Sequence, residues 1–173
     1  MNSFPPDPRK ALAGVGQLLG RAADPLADRF AKIVREMPNE RLDWLMRTPV
    51  RRVVLEGIFW QMPLHLDRAR AVGVNSSLRW RITGRGDGEA DVYDLVIADG
   101  RCRVTREGEG PTPRLTITVD AAEFLRIAAG TSNPVNAYFN GKLSLRGDLM
   151  QAARLTMLFR IPSPPRKPAG QGP

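Results

Sequence analysis

From Leu78 to Thr105 the chain reads Leu78-Arg79-Trp80-Arg81-Ile82-Thr83, a connection Gly84-Arg85-Gly86-Asp87-Gly88, then Tyr93-Asp94-Leu95-Val96-Ile97-Ala98, the pair Asp99-Gly100, and Arg101-Cys102-Arg103-Val104-Thr105. Side chains alternate between the two faces of a strand, so an apolar residue at every second position marks a strand with one buried face. Leu78, Trp80 and Ile82 share such a face, as do Tyr93, Leu95 and Ile97, and Cys102 with Val104. Asp99-Gly100 is a strong hairpin signal, because both central residues of a type I′ turn need a positive φ. The stretch therefore predicts a three-stranded meander with arginines on its polar face.

Downstream, Leu115, Ile117 and Val119 alternate with Thr116 and Thr118, and Leu143 with Leu145 marks a fifth strand. Between these two strands the period lengthens to that of a helix. Asp120, with Glu123 three residues on, predicts a capping box for a helix carrying Phe124, Leu125, Ile127 and Ala128, and Gly130 predicts its end. A short helix is predicted from Asn133-Pro134 to about Phe139, and a last one from Leu149 to Phe159.

Upstream, Phe30, Ile33, Val34 and Met37, then Leu42, Leu45 and Met46, then Val53, Val54, Phe59 and Met62 fall at helical spacing. Pro38 and Pro49 divide them into three helices. Thr48 before Pro49 predicts an N-cap with proline in the first turn, and Pro63 predicts that the third helix stops near Met62. Strands and helices are segregated, so the class is α+β: a five-stranded, largely antiparallel sheet with helices packed on its apolar face, preceded by a helical extension. Pro5, Pro6 and Pro8 at the front and Pro162, Pro164, Pro165, Pro168 and Pro173 at the back predict extended tails.

The 173 residues, 42% of them hydrophobic, suffice for one domain with its own core. The net charge of +8 is spread along the chain, eight Lys/Arg against six Asp/Glu over residues 1 to 50 and 18 against 12 beyond. Such a field aids solubility and also attracts phosphates, on nucleic acid or on anionic lipid, without choosing between them. One cysteine excludes an internal disulfide framework and suits a reducing compartment. No apolar run approaches the ~18–20 residues of a membrane span. Ala11 to Gly20 behind Arg9 and Lys10 imitates a secretory signal only superficially, being short and interrupted by three glycines.

Catalytic constellations fail one by one. His65, the only histidine, follows Met62-Pro63-Leu64 in an apolar run and reads as structural. Gly84, Gly86 and Gly88 lie between two strands, with no following helix to face a pyrophosphate. Asp87, Glu89 and Asp91 look like a solvated hairpin tip, and Cys102 reads as a small core residue. No catalytic residue, metal or cofactor is expected. Arg79, Arg81, Arg101 and Arg103 form a basic sheet face, but the aromatic side chains that would stack on bases lie on the opposite face, which disfavours nucleic acid. On the apolar side gather Ile58, Phe59, Met62, Phe124, Tyr138, Phe139, Met150, Leu155, Met157, Leu158 and Phe159. Periodicity alone fits an ordinary filled core there.

The run Leu115-Thr-Ile-Thr-Val-Asp-Ala-Ala-Glu-Phe-Leu-Arg-Ile-Ala-Ala-Gly130, followed by Asn133-Pro-Val-Asn-Ala-Tyr-Phe-Asn-Gly-Lys-Leu-Ser-Leu-Arg-Gly-Asp148, resembles the signature of the sterol carrier protein type 2 family. Upstream, Ile58-Phe-Trp-Gln-Met-Pro63 is similar to the first family helix and Ile97-Ala-Asp-Gly-Arg-Cys-Arg-Val104 to its second hairpin, so the resemblance covers roughly residues 53 to 160. It implies that sheet and helices enclose an apolar tunnel that binds, and can transfer, a sterol, fatty acid or acyl-CoA without covalent chemistry. The family also implies an alternative, an accessory or scaffold protein of a lipid or isoprenoid-quinone pathway acting through protein partners.

By position, the implied lipid-binding lining is Phe59, Met62, Trp80, Ile82, Ile117, Phe124, Phe139, Leu143, Met150 and Leu158. The implied partner is the lipid; the basic charge adds a transiently touched anionic membrane surface, and the N-terminal helices could cover a tunnel mouth, dock a protein partner or mediate dimerisation. The chain then divides into a flexible tail (1–22), a helical extension (23–52), a lipid-binding domain (53–160) and a Pro-rich tail (161–173). The segment before residue 53 departs from the family's core domain. Gln171-Gly172-Pro173 lacks a Ser-Lys-Leu-like peroxisomal address, so a cytoplasmic location is expected.

Overall fold

The computed structural model describes residues 25–106 and 108–158; both expected tails, the apolar run at 11–20 and Phe159 lie outside the described residues, as do the side chains of Leu155 and Met157. Helices α1 (Pro25–Glu36), α2 (Asn39–Leu45) and α3 (Val50–Gln61) come first, and a 3-10 turn over Met62–His65 takes in Pro63. Strands β1 (Ser76–Thr83), β2 (Asp91–Ala98), β3 (Arg101–Arg106) and β4 (Leu115–Asp120) follow. Then come α4 (Ala121–Ala128), α5 (Pro134–Phe139), β5 (Leu143–Gly147) and α6 (Leu149–Leu158).

The five strands form one sheet in the order β3-β2-β1-β4-β5. Neighbours run antiparallel except β1 and β4, which are parallel with Trp80 opposite Ile117. The class is α+β, as the alternation predicts. Asp99 and Gly100 have φ of 50° and 71°, the two positive values that a type I′ turn requires. Leu78, Trp80, Ile82, Tyr93, Leu95, Ile97, Ile117 and Val119 are buried on one face, while Arg81, Arg101, Arg103, Ser144 and Arg146 are exposed on the other. Arg79 differs from those arginines: it forms a forked pair with the buried Asp94 across the strands, at 2.7 and 2.9 Å.

Helices cover the apolar face in two layers. α4 lies on β1 and β4, and α1 and α2 lie on α4, bringing Ala31, Val34, Leu42 and Met46 into the same core as the sheet. Ile33, which shares the helical spacing of these residues, faces outward and is 57% exposed. A boundary at residues 52/53 would fall inside α3, one residue beyond the buried Arg51. Arg51 donates to the carbonyls of Met46 (3.2 Å), Ile82 (2.7 Å) and Thr83 (3.0 Å) and pairs with Asp91 at 2.6 Å, tying the first helices to the β1–β2 hairpin. Asp91 is therefore a structural anchor as well as part of the hairpin tip.

Two local expectations are corrected. The Thr48 hydroxyl donates to the Leu45 carbonyl at 2.7 Å and so closes the end of α2; it does not cap α3, where Pro49 stands at the N-cap position. Asp120 caps α4 by accepting from Ala122 N at 2.9 Å, but no capping box forms. The Glu123 carboxylate is buried and turned instead toward Ser132, Arg126 and Lys142. Gly84, at φ 86°, makes room for that cap, because a Cβ there would stand 2.2 Å from Asp120 Oδ2.

Candidate functional site

β1 is the central strand, and its apolar side presents Trp80 between Tyr93 on β2 and Ile117 on β4. Helix α3 brings Phe59 down onto this strip, and α4 brings Phe124 beside it. Phe59 stacks on Tyr93 with ring centres 4.0 Å apart and planes 13° apart, and on Phe124 at 5.2 Å and 10°. Trp80 meets Phe59 and Phe124 edge-on, at 6.1 and 5.4 Å. The four rings make one aromatic cluster between sheet and helices.

Eight of the ten residues read as lining are buried here: Phe59, Met62, Trp80, Ile82, Ile117, Phe124, Leu143 and Leu158. The other two are not. Phe139, at the end of α5, is 58% exposed, and Met150, at the start of α6, is 48% exposed. On α5 the buried positions are Pro134 and Ala137, three apart, which turns Phe139 off the inward stripe. On α6 Gln151 and Leu158 are buried, seven apart, and Met150 sits one step off that line.

Tyr93 was legible as an inward residue by strand parity, yet its place in the ring stack follows only from its register opposite Trp80. Burial and the nearby Asp91 charge push its phenol up to about 12. Burial likewise pushes the Cys102 thiol up to about 12, leaving little thiolate at neutral pH. The Trp80 indole nitrogen is fully buried and has no hydrogen-bond partner among the described residues. An orphaned buried donor of this kind costs about 1–3 kcal/mol, so it marks a point where an acceptor would be favoured. Among the described residues no group of His, Cys, Asp and Glu could hold a metal ion, and no helix is long and apolar enough to cross a membrane.

Residues 60–160, which carry all five strands and α4 to α6, match the SCP-2 sterol transfer family. The chain belongs to that family. Among its SCP-2 relatives, the Caenorhabditis elegans non-specific lipid-transfer protein-like 1 is 28% identical over 93 residues, 54% of this chain and 77% of the worm protein. The mouse peroxisomal multifunctional enzyme type 2 is 26% identical over 86 residues, half of this chain but only 12% of that enzyme. A sec-alkylsulfatase of Pseudomonas sp. shares the fold over 61% of this chain and 16% of its own, with a TM-score of 0.50 and 21% identity. In both enzymes the matching segment is a small part of a much longer chain.

Proposed function

We propose that this SCP-2 protein binds, and passes on, a lipid without covalent chemistry. The sterol, fatty acid or acyl chain would lie between the sheet and helices α3, α4 and α6. The observation that carries the reading is the family match over residues 60–160, laid on a sheet whose apolar face gathers eight of the ten expected lining residues. Phe139 and Met150 belong at the rim of that site. The unpartnered Trp80 N–H supports a ligand with one acceptor atom, a hydroxyl or carbonyl, among otherwise apolar contacts.

About a dozen buried methylenes at ~0.8 kcal/mol each give roughly 10 kcal/mol gross, before the cost of ordering the ligand. A micromolar affinity needs ~8 kcal/mol net. Apolar contact dominates this sum, so broad specificity is expected. Delivery to an anionic membrane is supported by Leu64 and Val72, 79% and 74% exposed, beside Arg68 and Arg101 near the β2–β3 turn. The single free cysteine suits our assignment to the cytoplasm.

Native mass spectrometry of the purified full chain, with organic extraction of anything released, tests the reading. A stoichiometric lipid is expected; an empty protein that also refuses fluorescent acyl and sterol probes would overturn it. A second reading, an accessory protein acting through a partner, is favoured by Ile33 and Trp44, 57% and 65% exposed on α1 and α2 outside the family match. Under that reading Trp44→Ser abolishes partner capture and leaves lipid content unchanged.

A further inference from the structure

A cleft of about 570 Å³ opens where the start of α3, the β1–β2 hairpin and the end of β3 converge. Five arginines and three carboxylates line it: Arg47, Arg51, Arg52, Arg85 and Arg106 against Glu56, Asp87 and Asp91. Arg51 is held by Asp91 and the carbonyls of Met46, Ile82 and Thr83, and Arg85 answers Asp87 at 2.5 Å and Asp91 at 3.3 Å. The opposite wall is unbalanced. Arg52, at 2.9 Å, and Arg106 both turn to the one carboxylate of Glu56. Arg106 Nε is buried and has no hydrogen-bond partner among the described residues, and Arg47 has no carboxylate in ion-pair reach among them. Two positive charges are thus left over around a space within the usual size range of small-molecule sites.

Tyr93 is shared by this cleft and the apolar site, bordering the cleft while its buried ring stacks on Phe59. A ligand with its charged end among the arginines would reach the rings by moving the Tyr93 side chain aside.

We propose that the arginine-lined cleft holds the phosphate-bearing head of an amphiphile whose apolar part occupies the lipid site, with Arg47, Arg52 and Arg106 as its ligands. This rests on the lipid-binding reading and narrows it to lipids with a phosphate-bearing head. Guanidinium forks match phosphate oxygens with paired charge-assisted hydrogen bonds, and an excess of two positive charges matches a dianion.

The test titrates the full chain with hexadecyl phosphate, hexadecanol, inorganic phosphate and free coenzyme A. It compares the wild type with Arg47→Gln/Arg52→Gln, both at exposed positions, and with a charge control, Arg114→Gln/Arg146→Gln, exposed residues just before β4 and on β5. Hexadecyl phosphate is expected to bind about ten-fold or more tightly than hexadecanol, to lose that advantage in Arg47→Gln/Arg52→Gln but not in the control, and to weaken as salt rises. Equal binding of the two C16 ligands, unmoved by the cleft variant, overturns the head-group assignment and leaves lipid binding standing. Binding of inorganic phosphate or coenzyme A without either C16 ligand overturns both.

Discussion

Helices α3 and α4 lie side by side on the same sheet, and Phe59 of one stacks on Phe124 of the other, yet they are buried to different depths. α4 is closed on both sides, the sheet beneath it and α1 and α2 above, so that six of its eight residues are buried, Glu123 among them. α3 buries only Arg51, Leu55 and Phe59, and its opposite side displays Val50, Val53 and Trp60, 47%, 73% and 50% exposed. Composition does not account for the contrast, since α3 is itself rich in valine and aromatics. Depth is set by what the chain lays over a helix.

The heaviest blow to this contrast is removal of residues 1–50. It would strip from α4 the cover of Val34, Leu42 and Met46, at about 1.5–3 kcal/mol for each fully buried side chain, comparable to the ~5–15 kcal/mol by which whole domains are stable. The truncated chain is expected to lose its cooperative urea transition; an unchanged midpoint would break the comparison. Phe124→Ala should cost about 3–5 kcal/mol and lower Tm by roughly 10 °C, readable by calorimetry.

Arg51→Leu should follow at about 3 kcal/mol, because it leaves Asp91 with only the longer Arg85 pair at 3.3 Å and two strand-end carbonyls without their donor. Alkaline pH should act more gently. The thiol of Cys102 and the phenol of Tyr93 ionise near 9.0 and 10.0 when unfolded and near 12 when folded, so the stability they contribute is full below about pH 9 and is lost as pH approaches 12. Urea midpoints should fall across that window, less steeply in Tyr93→Phe. Smallest of all, Trp60→Ser on the open side of α3 should change stability by under about 0.5 kcal/mol, checked in the same urea series.

These helices also mark how far the amino-acid order could be read. Strand parity placed Leu78 through Val119 correctly, because a period of two allows only two faces and one must be polar. On α3 a period of 3.6 leaves Val53 and Val54 nearly equivalent, and only the sheet's position puts Val53 outside. Arg51 shares the spacing of Leu55 and Phe59, which was the available sign that it turns inward; its partners on β1 and β2 are distant in sequence and left no local signal. Phe139 and Met150 enter the implied lining by their position in the family resemblance, and each sits off the buried line of its helix. The arginine cleft draws on α3, a hairpin and β3, whose convergence depends on the tertiary fold.

The parallel pairing of β1 with β4 gives synthesis on the ribosome an order. β1, β2 and β3 can close through short turns as soon as they emerge, but β1 keeps an unpaired edge, bearing Leu78, Trp80 and Ile82, until Val119 is also free. At ~5–20 residues per second that edge stays open for roughly one to three seconds after β3 is complete. During that interval the strand destined for the centre of the sheet is an edge strand, open to pairing with another nascent chain.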